Sequence, residues 1–283
     1  MDILEEFNTE ELYMRYAVDQ APDDKNFTMH IHERCEIYCF VSGDAEYLVE
    51  GARYLLKPGS VLIMRPAESH RVRILSHEKY ERYALNFSFA ATDILDPRRI
   101  LMKPFLDRPL GRGNLYSARE LGSGVVQLFE EMCGGTDEYE RKLIISTRLF
   151  ALLELINKAY LKRGADGYAP LTELSEQLVA YVNDHIFDEL SVPLLANHFF
   201  LSSSQISRIF RKATGASPWE YITIKRLTAA RERIRLGEPA NSAAESTGFG
   251  DYSSFYRAYV KRFGCPPKDD VLPPREKQSG KRR

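Results

Sequence analysis

The chain has 283 residues, 44% of them hydrophobic and 28% charged, a balance that excludes a disordered or collagen-like chain and fits one to two globular domains. No apolar run reaches the 18 or so residues of a membrane-spanning helix, and the opening Met1-Asp2-Ile3-Leu4-Glu5-Glu6 is acidic where a signal peptide is basic; a cytoplasmic protein without a membrane partner is expected. The net charge of −1 is unevenly spread: residues 171–283 carry 17 basic against 13 acidic side chains, and 194–262 carry 11 against 5, which suits a polyanion-binding module joined to an acidic partner domain. Cys35, Cys39, Cys133 and Cys265 form no CxxC pair and are expected as reduced thiols.

From about 27 to 90 the chain predicts strands, because short runs rich in Val, Ile, Tyr and Phe alternate with turn residues. Glu36–Val41, Glu46–Val49, Tyr54–Leu56, Val61–Met64, His70–Ile74 and Tyr83–Phe87 are separated by breaks such as Ser42-Gly43-Asp44 and Lys57-Pro58-Gly59. Many short strands with Gly/Pro turns imply a barrel or sandwich. Strand parity predicts that His30, His32, Glu36, Tyr38 and Phe40 point to one side, the barrel interior.

From Ser117 to Arg163 the period becomes helical. Ile145, Leu149, Leu152, Ile156 and Ala159 form a heptad-type seam, with Ile144, Ala151, Leu153 and Leu155 adding further apolar surface, so this helix is expected to be buried on more than one side. Gly134-Gly135 sets off a shorter preceding helix, giving a helical hairpin. The small, polar stretch Gly164–Pro170 marks a boundary.

The remainder reads as all-helical. Ser191 can cap one helix; Ser202-Ser203-Ser204-Gln205 has capping-box form and opens a second that closes at Gly215. Pro218 suits the first turn of a long helix ending at Gly237, and Asp251 can cap the last, which stops at Gly264. On the helix after Ser202, Ile206, Ile209, Phe210 and Ala213 share one face, leaving Ser203, Ser204, Ser207, Arg208 and Arg211 on the other. The helix after Asp251 repeats this, with Phe255, Ala258 and Tyr259 inward and Ser253, Ser254, Arg257 and Lys261 outward. Two short helix pairs of this form, joined by a long helix, predict a double helix-turn-helix reading DNA.

Residues 175–264 resemble the AraC/XylS transcription regulators. The resemblance rests on Leu195–Phe199, Leu201–Lys212, Thr214-Gly215, Tyr221-Ile222, Arg226-Leu227, Ala230, Gly248-Phe249, Asp251, Ser253, Phe255, Arg257, Lys261, Phe263-Gly264 and Pro267. It implies two recognition helices in successive major grooves, with base-facing positions at Ser203, Ser204, Ser207 and Arg208 and at Tyr252, Ser253, Ser254 and Arg257. Arg208 and Arg257 are candidates for guanine, since a guanidinium donates twice to O6 and N7; Arg211, Lys212 and Lys261 suit phosphates. The second unit departs from the family in having Ala240, Ala243 and Thr247 for larger aliphatics, Val260 for a lysine and Asp269-Asp270 for a terminal Tyr-Arg, so it is expected to be more loosely held and the first unit to dominate sequence reading.

Residues 28–90 resemble the cupin barrel through His30-x-His32-x-x-x-Glu36, Gly43, Pro66 and His70. That resemblance implies either a transition metal on His30, His32, Glu36 and His70 or direct hydrogen bonding of these groups to a small molecule such as a sugar, with Tyr38 and Tyr47 adding stacking or hydroxyl contacts. Ala67-Glu68-Ser69 stands where metal-binding cupins tend to keep a glycine before the histidine, which favours the second option and no resident cofactor. A metal-dependent cupin enzyme or sensor is the competing reading; no phosphate loop, GxSxG or HExxH motif accompanies it, and no catalytic residue is assigned.

The expectation is an α+β chain: a cupin-like effector-sensing barrel with an N-terminal arm (1–116), a helical dimerisation hairpin (117–163), a linker (164–174), a DNA-binding domain (175–265) and a disordered tail (266–283). It would act as a homodimeric, effector-responsive regulator, in the family's usual manner an activator working with RNA polymerase, with a carbohydrate as the favoured effector.

Overall fold

The computed structural model describes residues 2–164 and 173–270. Most of the expected linker, 165–172, and the tail from 271 onward lie outside the described residues. The chain divides into two compact units, Met1–Ala180 with Ser204–Ser217 and Tyr181–Ser203 with Pro218–Arg283. The segment Ser204–Ser217, expected within the DNA-binding part, is thus grouped with the first unit.

The first unit is built on two antiparallel sheets. Strands β1 (Asp2–Asn8), β2 (Leu12–Asp19), β3 (Cys35–Ser42), β4 (Ala45–Val49), β5 (Ala52–Leu55), β6 (Val61–Met64), β7 (His70–Ile74), β8 (Tyr80–Phe87) and β9 (Leu115–Tyr116) form a six-stranded sheet in the order β1-β2-β8-β3-β6-β9 and a three-stranded sheet in the order β5-β4-β7. The two strands β1 and β2 make the N-terminal arm part of the large sheet. Short helices α1 (Phe89–Asp93), α2 (Lys103–Leu106), α3 (Ala118–Leu121) and α4 (Val125–Glu131) precede the 26-residue α5 (Glu138–Arg163).

Period-2 alternation gives the large sheet two different faces. Cys35, Ile37 and Cys39 of β3, Val61 and Ile63 of β6, and Tyr83, Leu85 and Phe87 of β8 form one core with Phe129 of α4 and the α5 seam of Ile145, Leu149, Leu152, Ile156 and Ala159. The intervening residues Tyr38, Phe40, Leu62, Met64 and Tyr80 form a second core with Tyr47, Val49 and Val72 of the small sheet. The predicted seam therefore packs on the chain's own sheet. What α5 leaves outside is Tyr139, Leu143 and Leu161, all exposed. The four cysteines are free thiols.

Strand parity holds only for part of the predicted row. Strand β3 begins at Cys35, so Glu36, Tyr38 and Phe40 alternate inward as expected, but His30 and His32 precede the strand. His30 is held instead by an isolated bridge to His70, its N–H donating to the His70 carbonyl at 3.0 Å and receiving the reciprocal bond at 3.1 Å. The histidines reach the same place through a loop.

The remaining helices are α6 (Leu174–Asp184), α7 (Val192–His198), α8 (Ser203–Thr214), α9 (Pro218–Arg235), α10 (Ala240–Ser246) and α11 (Tyr252–Phe263). The expected punctuation is present: Ser191 accepts from the Leu194 N–H, Asp251 accepts from Ser253 and Ser254, and Gly264 closes α11 at a left-handed φ of 74°. In the second unit Leu227, Ala230 and Ile234 of α9, Ala243 and Ala244 of α10, and Phe255 and Tyr259 of α11 make one core. Ala243 and Thr247 are both fully buried, and the Thr247 hydroxyl donates to the Ala243 carbonyl at 2.6 Å. Of the small residues read as loosening this unit, Ala243 and Thr247 are packed without exposure and Ala240 is half-buried against the same core, because a helix that carries alanines can approach its neighbour closely.

Order also extends past the expected domain end at 265. Pro267–Asp269 forms a 3-10 turn, and Asp270 accepts from Arg231 Nε at 2.5 Å, Arg235 Nε at 3.0 Å and the Tyr259 hydroxyl at 2.9 Å. Burial alone would raise the Asp270 carboxyl, but these donors hold its pKa below the ordinary value. The acidic residue that departs from the family pattern serves here as a clasp on α9 and α11.

Candidate effector site and DNA-binding helices

Every barrel residue singled out from sequence converges on one place. His30, His32, Glu36 and His70 offer ligand atoms that all lie within 4.8 Å of one another. The three imidazole rings stand 4.3 to 6.0 Å apart, centroid to centroid. Tyr47 stacks near His70 at 6.0 Å and packs on Tyr38 at 4.8 Å. The Tyr38 hydroxyl is within 2.5 Å of the Tyr80 hydroxyl.

The ring orientations are fixed by the backbone. Nδ1 of His30, His32 and His70 faces the carbonyl oxygens of Thr28, Arg34 and Glu68 at 3.1, 2.7 and 2.7 Å. A carbonyl only accepts, so each Nδ1 carries a proton and each Nε2 is the atom turned toward the cluster. His32 Nε2 lies 2.7 Å from Glu36 Oε2, and the fully buried His70 Nε2 stands 3.2 Å from the same oxygen without a hydrogen bond to it. Asn86 Nδ2 adds a donor at 3.1 Å from Glu36 Oε2 and 3.3 Å from His32 Nε2.

Electrostatics follow from this crowding. Burial would raise the Glu36 carboxyl, yet the His32 and His70 rings hold it well below its ordinary value. Burial opposes a charge on His70, but Glu36 outweighs it and raises its pKa. More than a third of His30 remains exposed; desolvation by its neighbours and the adjacent His70 nevertheless lower its pKa to about 4, leaving it neutral near pH 7.

The loop carrying His70 is secured from behind. Glu68, fully buried, accepts from Arg108 at 2.5 and 2.7 Å, from the Gly111 N–H at 2.8 Å and from the Arg65 N–H at 3.1 Å. Burial pushes the Glu68 carboxyl up, but Arg108 wins and brings it to about 2. Ala67 takes a φ of 63°, the left-handed conformation that a glycine adopts without cost. Its N–H reaches the His32 carbonyl at 3.0 Å, tying the two motif loops together. The departures Ala67 and Glu68 thus leave His70 in position, because a buried ion pair fixes the loop.

Sequence reading missed Asn86, Tyr80 and Glu68 as parts of this site. Asn86 was findable: it pairs across the sheet with Glu36 and shares the inward parity of β8 with Tyr80. A carboxamide on the inner row of an apolar strand is itself a signal of a polar site.

On the helical side, α8 buries Ile206, Phe210 and Ala213, whereas Ser203, Ser204, Arg208, Arg211 and Lys212 are exposed and Ser207 is half-buried. Helix α11 buries Phe255 and Tyr259 and exposes Tyr252, Ser253, Ser254, Arg257 and Lys261. The Arg257 guanidinium donates to the Ser254 hydroxyl at 3.2 Å. The turn before α11 is fixed by Arg226, whose guanidinium donates to the carbonyls of Ile186, Asp188 and Gly248 at 2.6 to 2.7 Å.

A two-sheet domain with a convergent polar cluster, followed by helix-turn-helix elements with exposed Arg/Ser faces, defines a ligand-binding domain joined to a DNA-binding one. Residues 13–153 match the AraC-like ligand binding domain and residues 195–270 match a helix-turn-helix domain. The HTH-type transcriptional activator RhaS of Escherichia coli is 23% identical over 265 residues, covering 89% of this chain and 90% of RhaS. Unsaturated fatty acid bound ToxT from Vibrio cholerae is 14% identical, covering 93% of this chain and 95% of ToxT, with a TM-score of 0.39. The DNA-binding domain of AdpA, solved in complex with a target DNA, is 20% identical over 35% of this chain and 89% of that domain, with a TM-score of 0.33. The chain belongs to the AraC/XylS family of DNA-binding transcription regulators. The enzyme reading of the barrel falls with that membership. No helix among the described residues is long and apolar enough to cross a membrane.

Proposed function

We propose that this protein is an effector-responsive transcription activator that binds DNA as a homodimer, with its effector held in the N-terminal barrel. In this reading residues 1–116 sense, 117–163 dimerise and 175–265, extended to Asp270, bind DNA. The observation that carries it is the joining of a barrel whose polar groups converge on one site to α8 and α11, each apolar on one face and Arg/Ser on the other.

Arg208 and Arg257 read guanines, with Ser203, Ser204, Ser207, Tyr252, Ser253 and Ser254 on the same faces, and Arg211, Lys212 and Lys261 neutralise phosphates. The effector is an oxygen-rich small molecule of carbohydrate type. Supporting this are the donors and acceptors of His30, His32, Glu36, His70 and Asn86 and the flanking rings of Tyr38 and Tyr47. Effector binding shifts the placement of the two DNA-binding domains, changing which half-sites the dimer spans and its engagement with RNA polymerase.

The test is selection of bound duplexes from a random library by full-length protein at about physiological salt, where nonspecific binding is weak. A repeated asymmetric motif at fixed spacing is expected. That operator then serves to screen sugars for a change in DNA affinity; enrichment of no motif overturns the reading.

A further inference from the structure

We propose that the cleft between α9 and α11 receives one sugar-phosphate strand of the DNA duplex, with Trp219 as its positioning residue, an assignment that goes beyond the contacts above and rests on α11 entering a major groove.

Trp219 is the single tryptophan of the chain. It lies in the first turn of α9 and is 66% exposed, although its neighbours Pro218, Tyr221 and Ile222 are buried. Among the described residues its indole N–H meets no acceptor and its ring packs on no other ring. A lone exposed aromatic is ordinary on a protein surface; this one borders an open cleft of about 570 Å³.

The other side of the cleft belongs to the outer face of α11. Ser254, Arg257 and Lys261 line it, spaced i, i+3 and i+7 so that they share one stripe of the helix. Trp219 and Thr223, one turn apart, line the α9 side. Of the four charged groups around the cleft, Arg226, Arg257 and Lys261 are cations. The fourth, Asp251, is engaged by the Ser253 and Ser254 N–H groups at 3.3 and 2.7 Å. The cleft is therefore net positive, which suits a polyanion.

Dimensions name the occupant. An α-helix with its side chains is about 10–12 Å across, and the major groove of B-DNA is about 12 Å wide. A helix lying in that groove fills it from wall to wall, so the space beside the helix goes to the sugar-phosphate chain rather than to bases. A strand therefore enters the cleft once Arg257 reaches a base edge. Indole suits that place: its N–H only donates, a phosphate oxygen only accepts, and its apolar face covers a deoxyribose. Such a contact carries no sequence information and sets how α11 is aimed. Being neutral, it holds the strand without adding to the salt dependence, on the unit where Val260 and Asp269-Asp270 stand in for basic residues of the family pattern.

The experiment uses full-length protein and its selected operator at about physiological salt, with binding followed by the anisotropy of a labelled duplex. Because Trp219 is the only tryptophan, its emission reports the cleft in the unaltered chain. On saturation with operator the emission should shift and the ring should lose most of its accessibility to acrylamide. Trp219→Ala, which alters an exposed side chain and should leave circular dichroism unchanged, should weaken the operator roughly 5–30-fold. It should weaken duplexes with single base changes by the same factor, leaving the selected motif and the salt slope as they were. Lys261→Ala should instead lower the slope of log affinity against log salt by about 0.9. Trp219→Phe, which keeps an apolar ring and loses the N–H, should recover part of the loss. Unchanged acrylamide quenching in the saturated complex, or unaltered operator affinity in Trp219→Ala, overturns the assignment. Protection that appears only when RNA polymerase is added also overturns it, and gives the cleft to a protein partner. A duplex that binds while Trp219 stays silent refutes this assignment alone, whereas a chain that binds no selected duplex refutes the regulator reading and the assignment with it.

Discussion

At the residue scale, the loop that carries His70 holds two linked costs. Ala67 sits at φ 63°, where a Cβ costs roughly 1–2 kcal/mol, so Ala67→Gly should be neutral to stabilising by up to about 1 kcal/mol after glycine's extra unfolded-state entropy is subtracted. Thermal unfolding checks this. Glu68 and Arg108 are both fully buried, and removing one charge strands the other: Glu68→Gln or Arg108→Met alone should cost about 3–5 kcal/mol, the double variant less than either. The Glu68 pKa falls on folding, to about 2. Its contribution is therefore complete above the ordinary carboxylate value and is lost as pH falls from there toward 2. Melting temperature should drop through that window, and the double variant should flatten the drop. Gly248 shows the opposite case, a φ of 83° filled by the right residue. An added Cβ would lie 2.8 Å from the Phe187 carbonyl and 2.9 Å from Arg226 Cζ, so Gly248→Ala should destabilise the second unit by about 1–3 kcal/mol. The histidines, Glu36 and the glycine were legible in the sequence because they are fixed by local chemistry. Glu68 was not, since its partner Arg108 is 40 residues away; Asn86 was marked by its strand parity alone, its partner Glu36 lying 50 residues away.

Elements were easiest to read where punctuation and period agree. Helices α7, α9 and α11 lie where Ser191, Pro218, Asp251, Gly237 and Gly264 place them, because caps act within one turn of chain. Strands β1 and β2 escaped notice: β1 is an edge strand with a mixed, mostly exposed pattern, and its pairing depends on β2 and β8 rather than on its own alternation. His30 and His32 were assigned to a strand by parity, but the loop ahead of β3 bends them to the same site by pairing with β7. For the DNA-binding helices, the Asp270 clasp removes the ground for treating the second unit as loose. Its acidic departures still lower the positive charge beside α11, so Arg208→Ala should reduce affinity for the selected operator more than Arg257→Ala, each by about 1–3 kcal/mol if bidentate to guanine. Equal losses in fluorescence-anisotropy titrations would show that both helices read with the same weight.

At the scale of the whole molecule, the proposed homodimer puts α5 forward as the surface through which copies of the chain would pair. Its inner seam is spent on the large sheet, so an interface must use what remains outside. Along a helix of about 39 Å, that outer surface carries Tyr139, Leu143 and Leu161, which are 79, 53 and 61% exposed, together with the Glu154–Lys158 pair one turn apart. A two-fold pairing of α5 with a second α5 would cover these apolar groups and let opposite charges meet across the axis. The variant Leu143→Glu/Leu161→Glu tests this without touching either core, because both side chains face solvent and the fold should be retained. Sedimentation should show a monomer where the unaltered chain sediments as a dimer. Affinity for a duplex with two half-sites should fall toward that for a single half-site, since the linked second binding event is lost, while single half-site affinity stays unchanged. A variant that remains dimeric would move the interface off α5, and a monomer that loses single half-site affinity as well would mean that α5 supports the DNA-binding fold rather than its pairing.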